Sequence, residues 1–181
     1  MSGNLRSPAA PRACGTCSLC CKLIGIAALD KPIDQWCPHC AKSGGCSIYA
    51  TRPDECRTFN CEWLVNPNVG DAWQPTRAKM VLHHVNDAGM DKVVVHVDPG
   101  SPQAWRKEPF YGELRRWARE LLERNGTVNI YLGKRVIVVL PDRDVDLGAF
   151  NPGDKINFRK RRTATGWECE VSKAPAAAPP A

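Results

Sequence analysis

Residues 14–21 read CGTCSLCC, residues 37–40 read CPHC, and residues 45–61 read GCSIYATRPDECRTFNC. Nine of the 10 cysteines in this 181-residue protein therefore lie between Cys14 and Cys61. A C-x-x-C turn presents two sulfurs to one ion, and two such turns brought together can close a tetrahedral shell. One C-x-x-C step is a weak signal, but nine cysteines within one short segment are a strong indication of metal ligation by thiolates.

The redox compartment decides how such a cluster is interpreted. The chain contains no run of 18 or more apolar residues, and residues 1–13 lack an apolar stretch of signal-peptide length. We therefore expect a cytoplasmic protein without a membrane partner. In a reducing compartment, clustered cysteines indicate metal or redox chemistry rather than a disulfide framework.

Composition changes along the chain and predicts five segments. The cysteine-rich part has few apolar runs. A unit with so small a hydrophobic core needs another source of stability, and metal ligation can supply it. The predicted segments are a disordered lead-in (1–12), a cysteine-rich metal-binding module (13–66), a linker (67–76), an α+β unit (77–172) and a flexible tail (173–181).

The α+β unit is predicted from β-rich runs, hairpin signals and one amphipathic helix that ends at Asn125-Gly126. We expect an α+β protein: a small metal-stapled module followed by a mostly antiparallel sheet with one main helix. The predicted helix is Phe110–Arg124, and the predicted strands are Met80–Val85, Lys92–Val97, Val128–Leu132, Val136–Leu140, Lys155–Phe158 and Trp167–Val171.

Three sequence elements together resemble a known family. They are CxxCxxCC at Cys14–Cys21, Gly-Cys-x-Ile-Tyr at Gly45–Tyr49 and Arg-Pro-x-x-Cys-Arg-x-Phe at Arg52–Phe59. In this combination the chain resembles the CxxCxxCC family of zinc- or iron-chelating proteins, the YkgJ-type domain. The resemblance covers residues 14–61, about a quarter of the chain. It implies metal chelation and says nothing about the α+β unit.

The candidate ligands do not divide evenly into tetrahedral sets. Either one cysteine is a spare, or one sulfur bridges two ions, or His39 enters a mixed set with the cysteines. The cysteines that we consider most readily spared are Cys21, Cys40 and Cys61. The predicted metal-binding residues, around one or two centres, are Cys14, Cys17, Cys20, Cys21, Cys37, Cys40, Cys46, Cys56 and Cys61.

The identity of the metal follows from the donor type and the spacing. Soft thiolates select zinc or iron–sulfur clusters over hard cations. The step CxxCxxC also opens the bacterial ferredoxin run, but here Cys20 and Cys21 are adjacent and no proline follows them. We therefore favour zinc. The alternative is iron or an iron–sulfur cluster whose fourth ligand is Cys37, Cys46 or Cys56, with redox or enzymatic chemistry at the cluster.

The formal charge of +6 arises from 25 Lys and Arg against 19 Asp and Glu, and it treats every cysteine as neutral. An ion held by four thiolates carries about −2, so two such sites would remove about four positive charges. We read the basic run Arg159–Arg162 as a solvated hairpin, so a nucleic-acid-binding zinc module is an alternative that we do not favour. The expected partner of the α+β unit is an unidentified protein or small molecule.

Several smaller features complete the sequence-based interpretation. Arg52 and Arg57 could donate hydrogen bonds to metal-bound sulfurs and offset their charge. The alternating aspartates at 142–146 lack the glycine and glutamate of a calcium loop at the required positions, so we predict a polar loop there. Cys169 is predicted to be a strand residue outside the ligand set. The sequence contains no serine–histidine–aspartate set, phosphate loop or paired carboxylate that would indicate an enzyme.

Overall fold

The computed structural model describes residues 12–87, 89–164 and 166–176. Residues 1–11 of the predicted lead-in and residues 177–181 of the predicted tail lie outside the described residues. The chain divides into two compact units, of which the first ends at His83 and the second begins at His84.

The first unit contains the cysteine-rich segment and is built from short helices joined by long loops. Its small apolar cluster comprises Leu19, Leu23 and Val81, and the partly buried Phe59 and Cys61 pack against it. The helices are α1 (Leu19–Leu23), α2 (Asp54–Thr58), α3 (Glu62–Val65) and α4 (Pro75–Ala78), with 3-10 turns at Ala27–Leu29, Tyr49–Thr51 and Asp71–Trp73.

The segment predicted as a linker, residues 67–76, belongs to this first unit instead. Trp73 is 1% exposed and Val69 is 4% exposed, so both apolar side chains are buried. Arg12, assigned to the lead-in, also makes specific contacts: its guanidinium donates to the carbonyl of Trp63 at 2.7 Å and pairs with Asp71 at 3.0 Å. The division between units therefore falls later in the chain, at His83/His84.

The second unit combines one main helix with β-strands, which confirms the predicted α+β class. A five-stranded sheet has the strand order β1-β2-β3-β4-β5, and β6 and β7 form a separate two-stranded sheet. The division between the units falls within β1. The elements are β1 (Met80–Asp87), β2 (Met90–Val97), α5 (Phe110–Glu123), β3 (Thr127–Leu132), β4 (Arg135–Val139), β5 (Asp144–Ala149), β6 (Lys155–Thr163) and β7 (Gly166–Ala174).

The five-stranded sheet is mixed, but most of the strand pairs whose register is known are antiparallel, as predicted. Strands β2 and β3 run parallel, with Val95 opposite Ile130, whereas β3–β4 and β4–β5 are antiparallel. Helix α5 lies between β2 and β3 in the chain and supplies the long connection that a parallel pair requires.

Strand β5 occupies the stretch that was predicted to be a polar loop. Alternate side chains of a strand face opposite sides, so Val145 and Leu147 pack against the apolar cluster that contains Cys169. On the other side, Asp144 forms an ion pair with Arg106 at 2.9 Å. The prediction was wrong because it considered the aspartates alone and not the apolar residues that alternate with them.

Cys169 lies on β7, is 5% exposed and packs with Leu122, Val138 and Leu140. This confirms that it is a strand residue on a buried face. Of the helices in the described part of the chain, none has both the length and the apolar character needed to cross a membrane.

The basic run Arg159–Arg162 lies on β6, where acidic residues of β7 face it. Arg161 forms an ion pair with Glu168, and Arg159 stands opposite Glu170 in the strand register. Cross-strand pairs of opposite charge reduce the positive potential that a nucleic-acid backbone would be attracted to.

Candidate metal centre

The first C-x-x-C step forms a tight turn that leads directly into helix α1. The amide of Cys17 donates to the carbonyl of Cys14 at 2.8 Å, and Gly15 has a φ of +54°. Glycine adopts this left-handed conformation without steric cost, so the turn can close tightly. Helix α1 then carries Cys20 and Cys21.

The second C-x-x-C step forms a similar turn and is held against helix α1. The amide of Cys40 donates to the carbonyl of Cys37 at 3.0 Å, and the amide of Cys37 donates to the carbonyl of Cys21 at 3.0 Å. An isolated β-bridge then pairs Cys40 with Cys46. Backbone hydrogen bonds thus hold the second turn against the helix that follows the first turn.

The Arg-Pro element carries Cys56, and Cys61 follows it two residues later in the chain. Pro53 caps α2, Asp54 and Glu55 occupy the first turn, and Cys56 follows them on the same short helix. Acidic residues in a first helical turn are favourable because the free amide groups there carry partial positive charge. Cys61 caps α3.

Seven of the nine predicted ligands line one cavity of about 230 Å³. His39 also lines this cavity, and apolar side chains such as Ile24, Ile48 and Phe59 form much of its remaining wall. We call it the thiol cavity. Its cysteines are Cys14, Cys17, Cys20, Cys21, Cys37, Cys46 and Cys56.

The other two predicted ligands, Cys40 and Cys61, are not among the residues that line the thiol cavity. Cys61 packs against the apolar cluster of Leu19, Leu23 and Val81, as a small hydrophobic residue would. The Cys40 thiol lies 3.9 Å from the carbonyl oxygen of Ala41. Both belong to the group that the sequence analysis considered most readily spared.

All ten cysteines are free thiols. Among the residues that the structure describes, no three His, Cys, Asp or Glu side chains are already arranged as they would be around one metal ion. The thiols thus share a cavity wall rather than a closed shell, and ligation requires their side chains to turn inward. The donor set itself, sulfur with one nearby imidazole, suits zinc or an iron–sulfur cluster.

Crowding of the thiols opposes their ionisation. Burial raises the pKa of the Cys14 thiol, and the neighbouring Cys17 raises it further. A hydrogen bond with Cys20, together with burial, raises the pKa of Cys21 well above its usual range. Neighbouring thiolates repel each other, which makes their ionisation unfavourable. The positive charge of a bound metal ion offsets this repulsion, and a coordinating thiol is therefore deprotonated.

A buried cation that sequence reasoning missed lies beside the thiols. Lys31 is 5% exposed, and its ammonium donates to the carbonyl of Lys22 at 2.9 Å and to the carbonyl of Ile24. Burial lowers its pKa, whereas the nearby Cys37 and Cys21 raise it. A single lysine in a loop carries no sequence signal of burial, so only the folded chain reveals it.

We expect the Lys31→Met substitution to lower the free energy of unfolding of the first unit by about 1–3 kcal/mol, because two carbonyl groups at the end of α1 lose their donor. Lys42→Met is the matched control, since Lys42 is exposed. Urea denaturation of the metal-loaded protein measures both. Equal stability of the two variants would mean that Lys31 does not hold the end of α1.

The two arginines of the Arg-Pro element have different roles. Arg57 donates to the backbone carbonyls of Arg52 at 2.9 Å and Ala50 at 2.8 Å, so it ties the loop together. Arg52 stacks on the ring of Tyr49 at 3.7 Å, and its charge lowers the pKa of Cys14. Arg52 is therefore the arginine that acts on a thiol, whereas Arg57 stabilises the backbone.

Gly44 packs against the first C-x-x-C turn, which makes it a sensitive position. A Cβ at Gly44 would lie 2.5 Å from the carbonyl oxygen of Thr16, whereas a Cβ at Gly45 would meet nothing within 4 Å. Both glycines have a similar φ, +88° and +89°, so alanine introduces the same backbone strain at each. The backbone strain is common to both alanine variants, so the difference between them isolates the steric displacement of the C-x-x-C turn.

We expect Gly44→Ala to weaken zinc binding relative to Gly45→Ala by about 1–3 kcal/mol, or roughly 5- to 150-fold. The physical reason is that the alanine side chain pushes the turn of Cys14 and Cys17 outward. Competition with a chromophoric zinc chelator measures the difference. Equal affinities would show that the position of this turn is unimportant for binding.

Comparison of the chain with known protein families, with curated proteins and with solved structures finds no significant match. The resemblance to the CxxCxxCC family therefore rests on the three sequence elements alone, and the proposals below rest on the site.

Proposed function

We propose that this is a metal-chelating protein that binds zinc through the clustered cysteines of its first unit, with the metal stapling residues 13–66. The observation that carries the proposal is the thiol cavity, to which four separate stretches of chain contribute seven cysteines. Thiolates at this density have few structural uses other than metal binding in a reducing compartment, and free thiols suit the cytoplasm.

The small core of the cysteine-rich segment supports a structural role for the metal. Its helices contain only four or five residues each, and such helices are not stable without tertiary support. Among the described residues between 13 and 66, the buried apolar side chains are Leu19, Leu23, Ile26 and Trp63. A segment with so little buried apolar surface gains its stability from metal ligation.

An iron–sulfur redox protein is the second candidate. Cys37, Cys46 and Cys56 line the same cavity as the CxxCxxC run, which supports each of them as a candidate for the fourth ligand of a cluster. A cluster in this position would be bounded by apolar side chains, which influence reduction potential through the local dielectric.

Metal content and the visible spectrum of protein purified without oxygen and without chelators test the proposal. We expect zinc and no colour. Iron with matching sulfide and a brown charge-transfer band would establish the second candidate instead. Protein without stoichiometric metal, which also fails to take up zinc or iron on reconstitution, would contradict both.

A nucleic-acid-binding zinc module and an unidentified protein or small-molecule partner remain as the other interpretations of the second unit. Nucleic-acid binding would appear as an affinity that falls steeply with salt. Because Arg161 is paired with Glu168, we expect no such binding.

A further inference from the structure

The number of thiols in the cavity exceeds what one metal ion uses. A structural zinc ion takes four ligands in a tetrahedral shell, whereas seven cysteines line the thiol cavity. Two tetrahedral ions need eight ligand positions, and one sulfur that bridges both ions fills two of them. Two ions with one shared thiolate therefore need seven sulfurs, the number that the cavity provides, whereas two separate ions would also need His39 as an eighth ligand. Coupling between the two ions, measured below, distinguishes these arrangements.

We propose that the thiol cavity binds two divalent d¹⁰ metal ions of the zinc class in one dinuclear centre, with Cys21 as the bridging ligand. This inference rests on the proposed function, because it specifies the composition of the centre in a metal-chelating protein. Both ions are held by thiolates of the first unit.

The position of Cys21 among the thiols carries its assignment as the bridge. The carbonyl of Cys21 accepts a hydrogen bond from the amide of Cys37 at 3.0 Å, its thiol interacts with that of Cys20, and it is also an electrostatic neighbour of Cys14 and Cys56. These contacts join the first C-x-x-C turn, the second turn and helix α2. A bridging sulfur has to lie between the ligands of both ions, and Cys21 occupies that central position.

The cavity has room for two ions, and two cationic side chains lie near its thiols. The cavity measures about 230 Å³, many times the roughly 30 Å³ that one water molecule takes up in the liquid. Two divalent ions with seven thiolates carry a net charge of about −3. The cations of Lys31 and Arg52 lie near the thiols and offset most of this charge.

Metal binding in this centre is a proton exchange without electron transfer. Each of the seven thiols loses its proton to solvent as its sulfur donates an electron pair to a metal ion, and Cys21 donates one pair to each ion. Neither the sulfur nor the metal changes oxidation state, so no oxidant or reductant is required.

Cadmium-113 is a suitable probe because it is a d¹⁰ ion with a nuclear spin and replaces zinc in thiolate sites. The full chain is purified without oxygen, loaded with excess cadmium-113 and freed of unbound metal. We expect two cadmium ions per chain by mass spectrometry and two cadmium resonances. These resonances should be split by mutual coupling through the shared sulfur.

Two variants locate the bridge. Cys21→Ala should abolish the coupling and lower the content to one ion per chain, whereas Cys61→Ala, outside the cavity lining, should retain two ions and their coupling. The measurement on the unaltered protein does not depend on either variant folding.

The outcomes separate the two proposals. One cadmium ion per chain, or two ions without coupling, would overturn the dinuclear centre and leave metal chelation standing. An iron–sulfur cluster in the protein as purified would do the same. Protein that binds neither cadmium, zinc nor iron would overturn the proposed function as well.

Discussion

Removal of the metal with a strong chelator is expected to unfold residues 13–66 and to leave the second unit folded. The reason is that the cysteine-rich segment has short helices and few buried apolar side chains, so ligation supplies the folding free energy that a larger core would otherwise provide. Binding of structural zinc contributes on the order of 10 kcal/mol or more, far above what a unit of this size can lose.

Limited proteolysis with mass spectrometry measures this effect directly. New cleavage sites should appear between Cys14 and Cys61, whereas residues 90–174, which carry the strands and α5, should stay protected. Re-addition of zinc under reducing conditions should restore protection and the circular dichroism spectrum. If chelation changes neither the cleavage pattern nor the spectrum, the metal has no structural role.

Substitution of Leu114 by alanine is expected to lower the free energy of unfolding of the second unit by about 2–5 kcal/mol. Leu114 is on α5 and is 0% exposed, so the shorter side chain loses buried apolar contact and leaves a cavity. The measurement is urea denaturation followed by circular dichroism. Metal content should not change, because the thiol cavity is formed by residues 14–64 of the other unit.

Arg119→Ala is the control for this substitution, since Arg119 is exposed on the same helix and its replacement should alter stability by no more than about 0.5 kcal/mol. A Leu114→Ala protein that loses its metal along with its stability would show that the two units fold as one cooperative system. An unchanged unfolding curve would mean that Leu114 is not part of the buried core of the second unit.

Helices and strands of the second unit were predictable where the local sequence had a clear apolar periodicity or turn signal. The apolar positions Phe110, Leu114, Trp117 and Leu121 recur at helical spacing, and α5 covers that stretch. The hairpin signal at Gly133 likewise matched the antiparallel pair β3–β4. Strand β5 was missed since its apolar residues gain their burial from a distant cluster that the local sequence does not reveal.

The segment predicted as a linker also shows that local sequence patterns do not reveal which side chains are buried. Prolines, glycine and asparagines in residues 65–76 indicated a loop, and that local reading overlooked where Val69 and Trp73 would be buried. Turn-forming residues describe the path of the backbone. They do not determine whether an apolar side chain within the turn reaches a core.

The sequence by itself determined the donor chemistry of the candidate site, because residue type sets ligand softness and C-x-x-C spacing sets a local turn. Only the tertiary structure decided which of the nine cysteines share a cavity, and that Lys31 lies buried beside them. The physical reason is distance along the chain. Cys14 and Cys56 are more than forty residues apart, and their separation in space depends on how the intervening loops pack.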